Sequence, residues 1–228
     1  MSDFKVIKNI VFDLGGVILK RNPISILDKF DVSREDYEEL SRFFADGKRL
    51  DLGEQTLEEK LAECNFSDDI SLRYKDILLN YYVYRDFNLQ LAELVKKLKN
   101  NNYKLYVLSD NSLEATAYYL KNSLFTYFDG CIVSCHFGVM KWSGELFEVL
   151  FDEYNLVPRE SYFIDDNPTN IDIAHKYGMK WYIYLMKTKI FLIFMTIWEV
   201  IELRFEVFSI FEFNFYWKFF MFFYKQIY

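Results

Sequence analysis

The sequence lacks three features that would assign it to common protein classes. Its three cysteines are too few, and odd in number, for a disulfide scaffold, so we expect a reducing compartment. It lacks an excess of positive charge: 27 Lys and Arg against 34 Asp and Glu give a formal net charge of −7, which argues against a basic stripe, so nucleic acid is not an expected partner. Its first eight residues are charged and carry no apolar block typical of a signal peptide, which predicts a cytoplasmic protein.

Short apolar segments predict buried strands at residues 7–12, 105–108, 131–134, 162–164 and 181–184. From the second segment onward they alternate with helical patterns at residues 89–99, 113–121, 144–154 and 170–177. This alternation predicts an α/β fold with a doubly wound parallel sheet. In such a sheet the ligand crevice lies outside the carboxyl ends of the strands.

The chain between the first strand and residue 89 has no strand alternation but shows helical patterns at residues 33–44, 56–63 and 72–82. A helical insertion directly after the first strand would lie over the crevice, where a cap can exclude water. We therefore predict a core at residues 1–18 and 86–185, a helical cap at residues 19–85 and an extension at residues 186–228.

The extension differs in composition from the rest of the chain. From residue 187 onward it has no Gly, Pro, Ala or Asp and is dense in Phe. Charged residues interrupt every window long enough to span a bilayer: Glu199, Glu202, Arg204, Glu206, Glu212 and Lys218. So aromatic a segment must pack on the domain, on another chain or on a membrane surface. An interfacial helix, an oligomerisation element and an aberrant reading-frame extension remain open, with a membrane span as the less favoured alternative.

Polar residues follow two of the predicted strands. Asp13 comes directly after the first strand, and a carboxylate there can attack phosphorus to form an aspartyl-phosphate. Ser109, Asp110 and Asn111 come between the second strand and a helix. A hydroxyl and free backbone N–H groups at a helix N-terminus suit an anion such as phosphate.

A cation and an acidic pair complete the set of candidate groups. Lys141 precedes a helix and could neutralise charge on the nucleophile and on a phosphoryl group. Asp165 and Asp166 end the fourth strand, and adjacent carboxylates there repel unless a cation lies between them and Asp13. Oxygen ligands alone favour Mg²⁺.

The order of these residues resembles the four motifs of the haloacid dehalogenase-like hydrolases. The motifs here are Phe-Asp-Leu-Gly-Gly-Val, Val-Leu-Ser-Asp-Asn, Lys-Trp-Ser-Gly-Glu-Leu-Phe and Phe-Ile-Asp-Asp-Asn-Pro-Thr-Asn-Ile. With the segment Leu-Asp-Leu-Gly-Glu-Gln-Thr, they resemble the branch of α-glucose-1-phosphate phosphatases and the N-terminal phosphatase domain of soluble epoxide hydrolases. The resemblance ends near residue 184.

The resemblance implies a Mg²⁺-dependent phosphomonoester hydrolase acting through an aspartyl-phosphate on a small phosphorylated metabolite, with a sugar phosphate as one candidate. It assigns catalysis to Asp13, Ser109 and Lys141. It assigns phosphate binding to Ser109, Asp110, Asn111 and Lys141, and Mg²⁺ binding to Asp13, Gly15, Asp165 and Asp166.

Two departures from the family pattern keep alternatives open. Many related phosphatases carry a second Asp as general acid and base where this chain has Gly15, and the branch usually has Asn where it has Asp110. A catalytically impaired, haloacid dehalogenase-like binding protein is one alternative. A haloacid dehalogenase is another, although Asp165 and Asp166 would repel an anionic haloacid.

Overall fold

A computed structural model, which describes residues 7–20 and 23–184, contains one five-stranded parallel sheet. Its strands are β1 (Asn9–Phe12), β2 (Lys104–Ser109), β3 (Gly130–Val133), β4 (Ser161–Asp165) and β5 (Lys180–Ile183), in the spatial order β3-β2-β1-β4-β5. The predicted extension lies outside the described residues, so its packing stays a prediction. Within the described ranges, no helix is both long and apolar enough to cross a bilayer.

Helices cover both faces of the sheet. On one face lie α5 (Leu89–Asn100) and α6 (Leu113–Tyr119), and on the other lie α7 (Glu145–Tyr154) and α8 (Pro168–Lys176). Successive side chains of β1 alternate between the faces, so Ile10 and Phe12 join one apolar cluster and Val11 joins the other. The predicted doubly wound α/β fold is therefore confirmed.

The insertion between β1 and α5 is helical and has an apolar core of its own. It contains α1 (Arg34–Ala45), α2 (Lys48–Asp51), α3 (Leu57–Glu63) and α4 (Asp68–Leu79), with 3₁₀ turns at Pro23–Lys29 and Tyr81–Tyr84. Its separate cluster is formed by Ile26, Leu27, Leu40, Phe43, Leu50, Leu57, Ile70, Tyr74, Leu78 and Tyr81. The domain boundaries drawn from the sequence stay a prediction.

The two segments that connect the insertion to the sheet run side by side. The backbone N–H of Lys20 donates to the Asp86 carbonyl at 2.8 Å, and the N–H of Asn88 donates to the Ile18 carbonyl at 2.8 Å. Both segments follow the carboxyl end of β1, the edge where the sequence predicted the crevice.

Several predicted boundaries differ from the structure, and two of the differences have clear local reasons. The third strand ends at Val133, because the Ser134 carbonyl accepts the N–H groups of Phe137 and Gly138 in a tight turn. Helix α4 begins at Asp68 instead of residue 72, because the Ser67 hydroxyl caps it by accepting the Ile70 N–H at 3.3 Å.

Candidate active site

The carboxyl ends of β1, β2 and β4 bring three of the predicted site residues to one edge. Asp13 follows β1 directly, Ser109 is the last residue of β2 and Asp165 is the last residue of β4. The backbone N–H of Asp13 donates to the Ile164 carbonyl at 2.9 Å, which fixes the loop after β1 against β4. The parallel register therefore sets the separation of these side chains.

Lys141 contacts two of the carboxylates from a 3₁₀ turn before α7. Its Nζ atom lies 2.7 Å from Asp13 Oδ1 and 2.8 Å from Asp165 Oδ2. The side chains of Lys141, Asp13 and Asp165 are only 3 %, 7 % and 0 % exposed, respectively. Removing such charges from water is costly, so partners must satisfy them inside the protein.

The charge balance of this buried group shifts the pKa of its members. Burial raises the pKa of Asp13 to about 8; Lys141 opposes this rise, and Asp165 and Asp166 add to it. For Lys141, burial favours the neutral form, but the charges of Asp13, Asp165 and Asp110 outweigh it and raise the pKa. Lys141 therefore stays charged, and a second cation would favour ionisation of Asp13.

Asp13, Asp165 and Asp166 each offer a carboxylate oxygen, and these atoms all lie within 4.8 Å of one another. Such an all-oxygen donor set fits Mg²⁺, which is held by few carboxylates and retains waters. The predicted role of the Gly15 carbonyl stays a prediction.

Neighbouring residues orient the two acids that end β4. Asp165 Oδ1 accepts the Asn167 N–H at 2.7 Å, and its Oδ2 also accepts from Asn170 Nδ2 at 3.0 Å. Gly16 lets Asp166 approach, because it has a φ of +77° and an added Cβ would collide with Asp166 Oδ2. A glycine is therefore required beside the acidic cluster.

Asp110 turns its carboxylate to the backbone of Lys141. Its Oδ1 accepts the Lys141 N–H at 3.0 Å, a bond that the oxygen of the Asn usual in the family branch could also accept. Burial raises the pKa of Asp110, and Lys141 opposes this rise. The side chain thus positions Lys141, whereas its predicted role in phosphate binding stays a prediction.

The sequence predicted free backbone N–H groups after β2, and this prediction is wrong for two of them. The Asn111 N–H donates to Ser134 Oγ at 3.1 Å, and the Ser112 N–H donates to Asn111 Oδ1 at 3.0 Å. The side chains of Ser134, which follows β3, and of Asn111 therefore occupy these donors. Ser109 is buried at the end of β2. Its predicted role in phosphate binding stays a prediction.

The sequence predicted that the insertion lies over the crevice, but it did not indicate which residues make the contact. Ser134 Oγ donates to the Asp51 carbonyl at 2.5 Å, and the Leu57 N–H donates to Glu114 Oε1 at 2.9 Å. The Leu-Asp-Leu-Gly segment carries an acid near a glycine, but nothing in it indicates which part of the core it contacts.

Two curated relatives are similar to this chain. The D-ribitol-5-phosphate phosphatase of Bacteroides thetaiotaomicron is 26 % identical over 204 residues, covering 77 % of this chain and 90 % of the relative. Flavin mononucleotide hydrolase 1 of Arabidopsis thaliana is 28 % identical over 152 residues, covering 66 % of this chain and 53 % of the relative.

Solved structures share the fold at lower identity. A haloacid dehalogenase-family enzyme from Bacteroides thetaiotaomicron, in complex with magnesium and inorganic phosphate, superposes with a TM-score of 0.63 at 22 % identity and covers 82 % of this chain and 99 % of its own. The L-2-haloacid dehalogenase of Xanthobacter autotrophicus superposes with a TM-score of 0.60 at 17 % identity and covers 82 % of this chain and 81 % of its own. A family model, haloacid dehalogenase-like hydrolase, matches residues 7–178. This match spans most of the chain, which therefore belongs to the haloacid dehalogenase-like hydrolases.

Proposed function

We propose that this protein is a Mg²⁺-dependent phosphomonoester hydrolase that acts through an aspartyl-phosphate on Asp13. The observation that carries the proposal is the convergence of Asp13, Asp165 and Asp166 around one point, with Lys141 in contact with the first two. A nucleophilic carboxylate beside two further acids and one fixed cation suits the transfer of a multiply charged phosphoryl group.

The acidic cluster would hold the metal. Asp13, Asp165 and Asp166 would supply carboxylate oxygens, with the Gly15 carbonyl as a proposed fourth ligand. A bound Mg²⁺ supplies positive charge that neutralises the phosphoryl oxygens.

The remaining chemistry belongs to the side chains of the chain itself. Asp13 attacks phosphorus, and its carboxylate is held in place by the ammonium of Lys141 at 2.7 Å. The Lys141 ammonium has three N–H donors, of which Asp13 and Asp165 use two, so the third can reach a phosphoryl oxygen. Ser109 and Asn111 would bind further phosphoryl oxygens. The helical insertion would cover the crevice and select the leaving group.

Two considerations support a small organic phosphate as the substrate. The curated relatives are named for D-ribitol 5-phosphate and flavin mononucleotide, so we propose a sugar-alcohol or sugar phosphate here. Dehalogenation is less suited to this crevice, because an anionic haloacid would meet Asp165 and Asp166 beside the nucleophile.

The test is phosphate release from ribitol 5-phosphate, flavin mononucleotide, a hexose phosphate and an aryl phosphate, with Mg²⁺ or with chelator. We expect release by the wild type with Mg²⁺ only and none by Asp13→Asn. Asp172→Asn, which changes an exposed acid on α8, is the matched control and should behave as the wild type. Phosphate or Mg²⁺ binding without turnover on any ester would instead favour the binding-protein alternative.

A further inference from the structure

The proposed reaction needs a proton donor that the sheet edge itself does not supply. The leaving oxygen must gain a proton, and water must lose one when it hydrolyses the aspartyl-phosphate. Gly15 has no side chain, and Asp165 is held by Lys141 and Asn170 as well as by a backbone N–H. Asp110 is bonded to the Lys141 N–H. Asp166 is assigned to the metal together with Asp13 and Asp165. The acids of the insertion are therefore the next candidates for the donor.

Asp51 stands at the point where the insertion meets the crevice loops. It ends α2, and its carbonyl accepts the Ser134 hydroxyl at 2.5 Å. The same Ser134 oxygen accepts the Asn111 N–H, so two hydrogen bonds connect Asp51 to the loop that follows Ser109. Two residues later, Gly53 packs so closely that an added Cβ would collide with the Cys135 carbonyl oxygen.

The charged groups around Asp51 belong to the crevice and to the insertion. Burial raises its pKa to about 7; Asp110 and Asp46 add to this rise, whereas Lys141 and Lys60 oppose it. Asp51 thus responds to Lys141, the cation that contacts the nucleophile. A pKa near neutrality suits a group that must both give and take a proton.

Resting on the proposed phosphatase function, we propose that Asp51 is the general acid and base of the reaction. As Asp13 Oδ forms its bond to phosphorus, the bond from phosphorus to the leaving oxygen breaks, and the Asp51 carboxyl gives that oxygen its proton. The Asp51 carboxylate then takes a proton from the water that attacks the aspartyl-phosphate. The bond from phosphorus to Asp13 breaks, phosphate leaves, and Asp51 is again protonated.

The experiment measures kcat/KM of the full-length protein for aryl and alkyl phosphates, because this ratio reports the steps up to departure of the leaving group. We expect Asp51→Asn to lower kcat/KM for alkyl phosphates by about 10² to 10⁴-fold. The loss for aryl phosphates should be at least about tenfold smaller, since a phenolate leaves without a proton. The fall of alkyl kcat/KM above neutral pH should vanish in the variant.

A second measurement addresses the hydrolytic half of the reaction. With the base removed, Asp51→Asn should release a stoichiometric burst of phenolate from an aryl phosphate before a slow steady state. Glu54→Gln, an exposed acid of the same loop, is the matched control and should show neither change.

Three results would overturn the assignment: equal losses for both ester classes, an unchanged pH profile, or wild-type turnover without a burst. The proposed function is judged separately by Mg²⁺-dependent cleavage of the aryl ester in the wild type and its loss in Asp13→Asn. If the assignment of Asp51 is overturned, the evidence from Asp13→Asn for the proposed function still stands. Recovery of the alkyl rate in Asp51→Glu would support the proton role over a purely structural one.

Discussion

The crevice and the insertion use ion pairs in contrasting ways. In the crevice, Lys141 lies between Asp13 and Asp165 with all three side chains almost fully buried. In the insertion, Arg73 and Asp36 form a pair of similar length, 2.6 Å, but their side chains are 43 % and 13 % exposed. Water and salt weaken the second pair, whereas the first pair retains its attraction and has lost its hydration. The comparison indicates that the buried charges serve chemistry and the surface charges serve solubility and local order.

The two regions also differ in what holds them together. The insertion rests on its own apolar cluster and on capped helices, including a capping box in which Thr56 and Glu59 bond each other's backbone. The crevice rests on the parallel strands and on a chain of hydrogen bonds among polar side chains. Substitutions in the crevice should therefore alter activity and metal response, and substitutions on the insertion surface should alter neither.

The largest expected effect is on turnover in Asp13→Asn. We expect hydrolysis to fall by at least about 10⁴-fold, because an amide is a poor nucleophile and the site loses a metal ligand. The fold should survive, since an amide of the same shape fills the same space and its oxygen can still accept the hydrogen bond from Lys141 Nζ. Activity assays and thermal unfolding of the same preparation test both statements. Turnover near the wild type would remove Asp13 from the mechanism.

The next effect is on stability in Lys141→Met. The substitution keeps the apolar stem but leaves Asp13 and Asp165 buried without their cation, and we expect a cost of about 3–5 kcal/mol in the free energy of unfolding. Denaturant titration measures it. A loss no larger than that of an exposed-lysine variant such as Lys176→Met would show that the two buried acids do not depend on this cation for stability.

Magnesium should stabilise the folded protein, because it binds the acidic cluster of the native state alone. At a concentration of 100 Kd the gain is about 2.7 kcal/mol. The metal needs Asp13 ionised, and burial raises the pKa of that group to about 8, so the rise in melting temperature should be larger at pH 8 than at pH 6. An unchanged melting temperature from chelator to millimolar Mg²⁺ would contradict the site.

The strands of the sheet and most of the residues at its carboxyl edge could be predicted, because both follow from short-range patterns in the sequence. Apolar runs of strand length placed β1 to β5, and the carboxyl ends of parallel strands meet at one edge, which brought Asp13 and Asp165 together. The contacts of Asp51 with Ser134 could not be predicted, since they depend on how the insertion docks on the core. Docking is a long-range outcome of shape and carries no periodicity along the chain.

A smaller effect is expected from Gly→Ala substitutions, which can distinguish a steric clash with a neighbouring side chain from backbone strain. Gly16 and Gly138 both have positive φ, +77° and +67°, but an added Cβ would strike Asp166 at Gly16 and meet nothing within 4 Å at Gly138. Each Gly→Ala change should cost about 1–2 kcal/mol for the left-handed backbone. Only Gly16→Ala should also weaken Mg²⁺ binding, measured by calorimetry, because it displaces a carboxylate. Equal metal affinity in both variants would place Asp166 outside the metal site.

The smallest effect should come from the insertion surface, and it completes the comparison with Lys141. Arg73 bonds Asp36 and Asp69, yet it lies open to water, where Coulomb attraction is weak and screened by salt. We therefore expect Arg73→Met to move the denaturation midpoint far less than Lys141→Met does, and to leave kcat and the Mg²⁺ response unchanged. Repeating both titrations at high salt provides the contrast: the small Arg73 effect should disappear, while the Lys141 effect should persist because salt screens a buried ion pair far less than an exposed one. An Arg73 effect that resists salt would mean that the insertion depends on this ion pair for its fold, and the distinction between the two regions would then be one of degree.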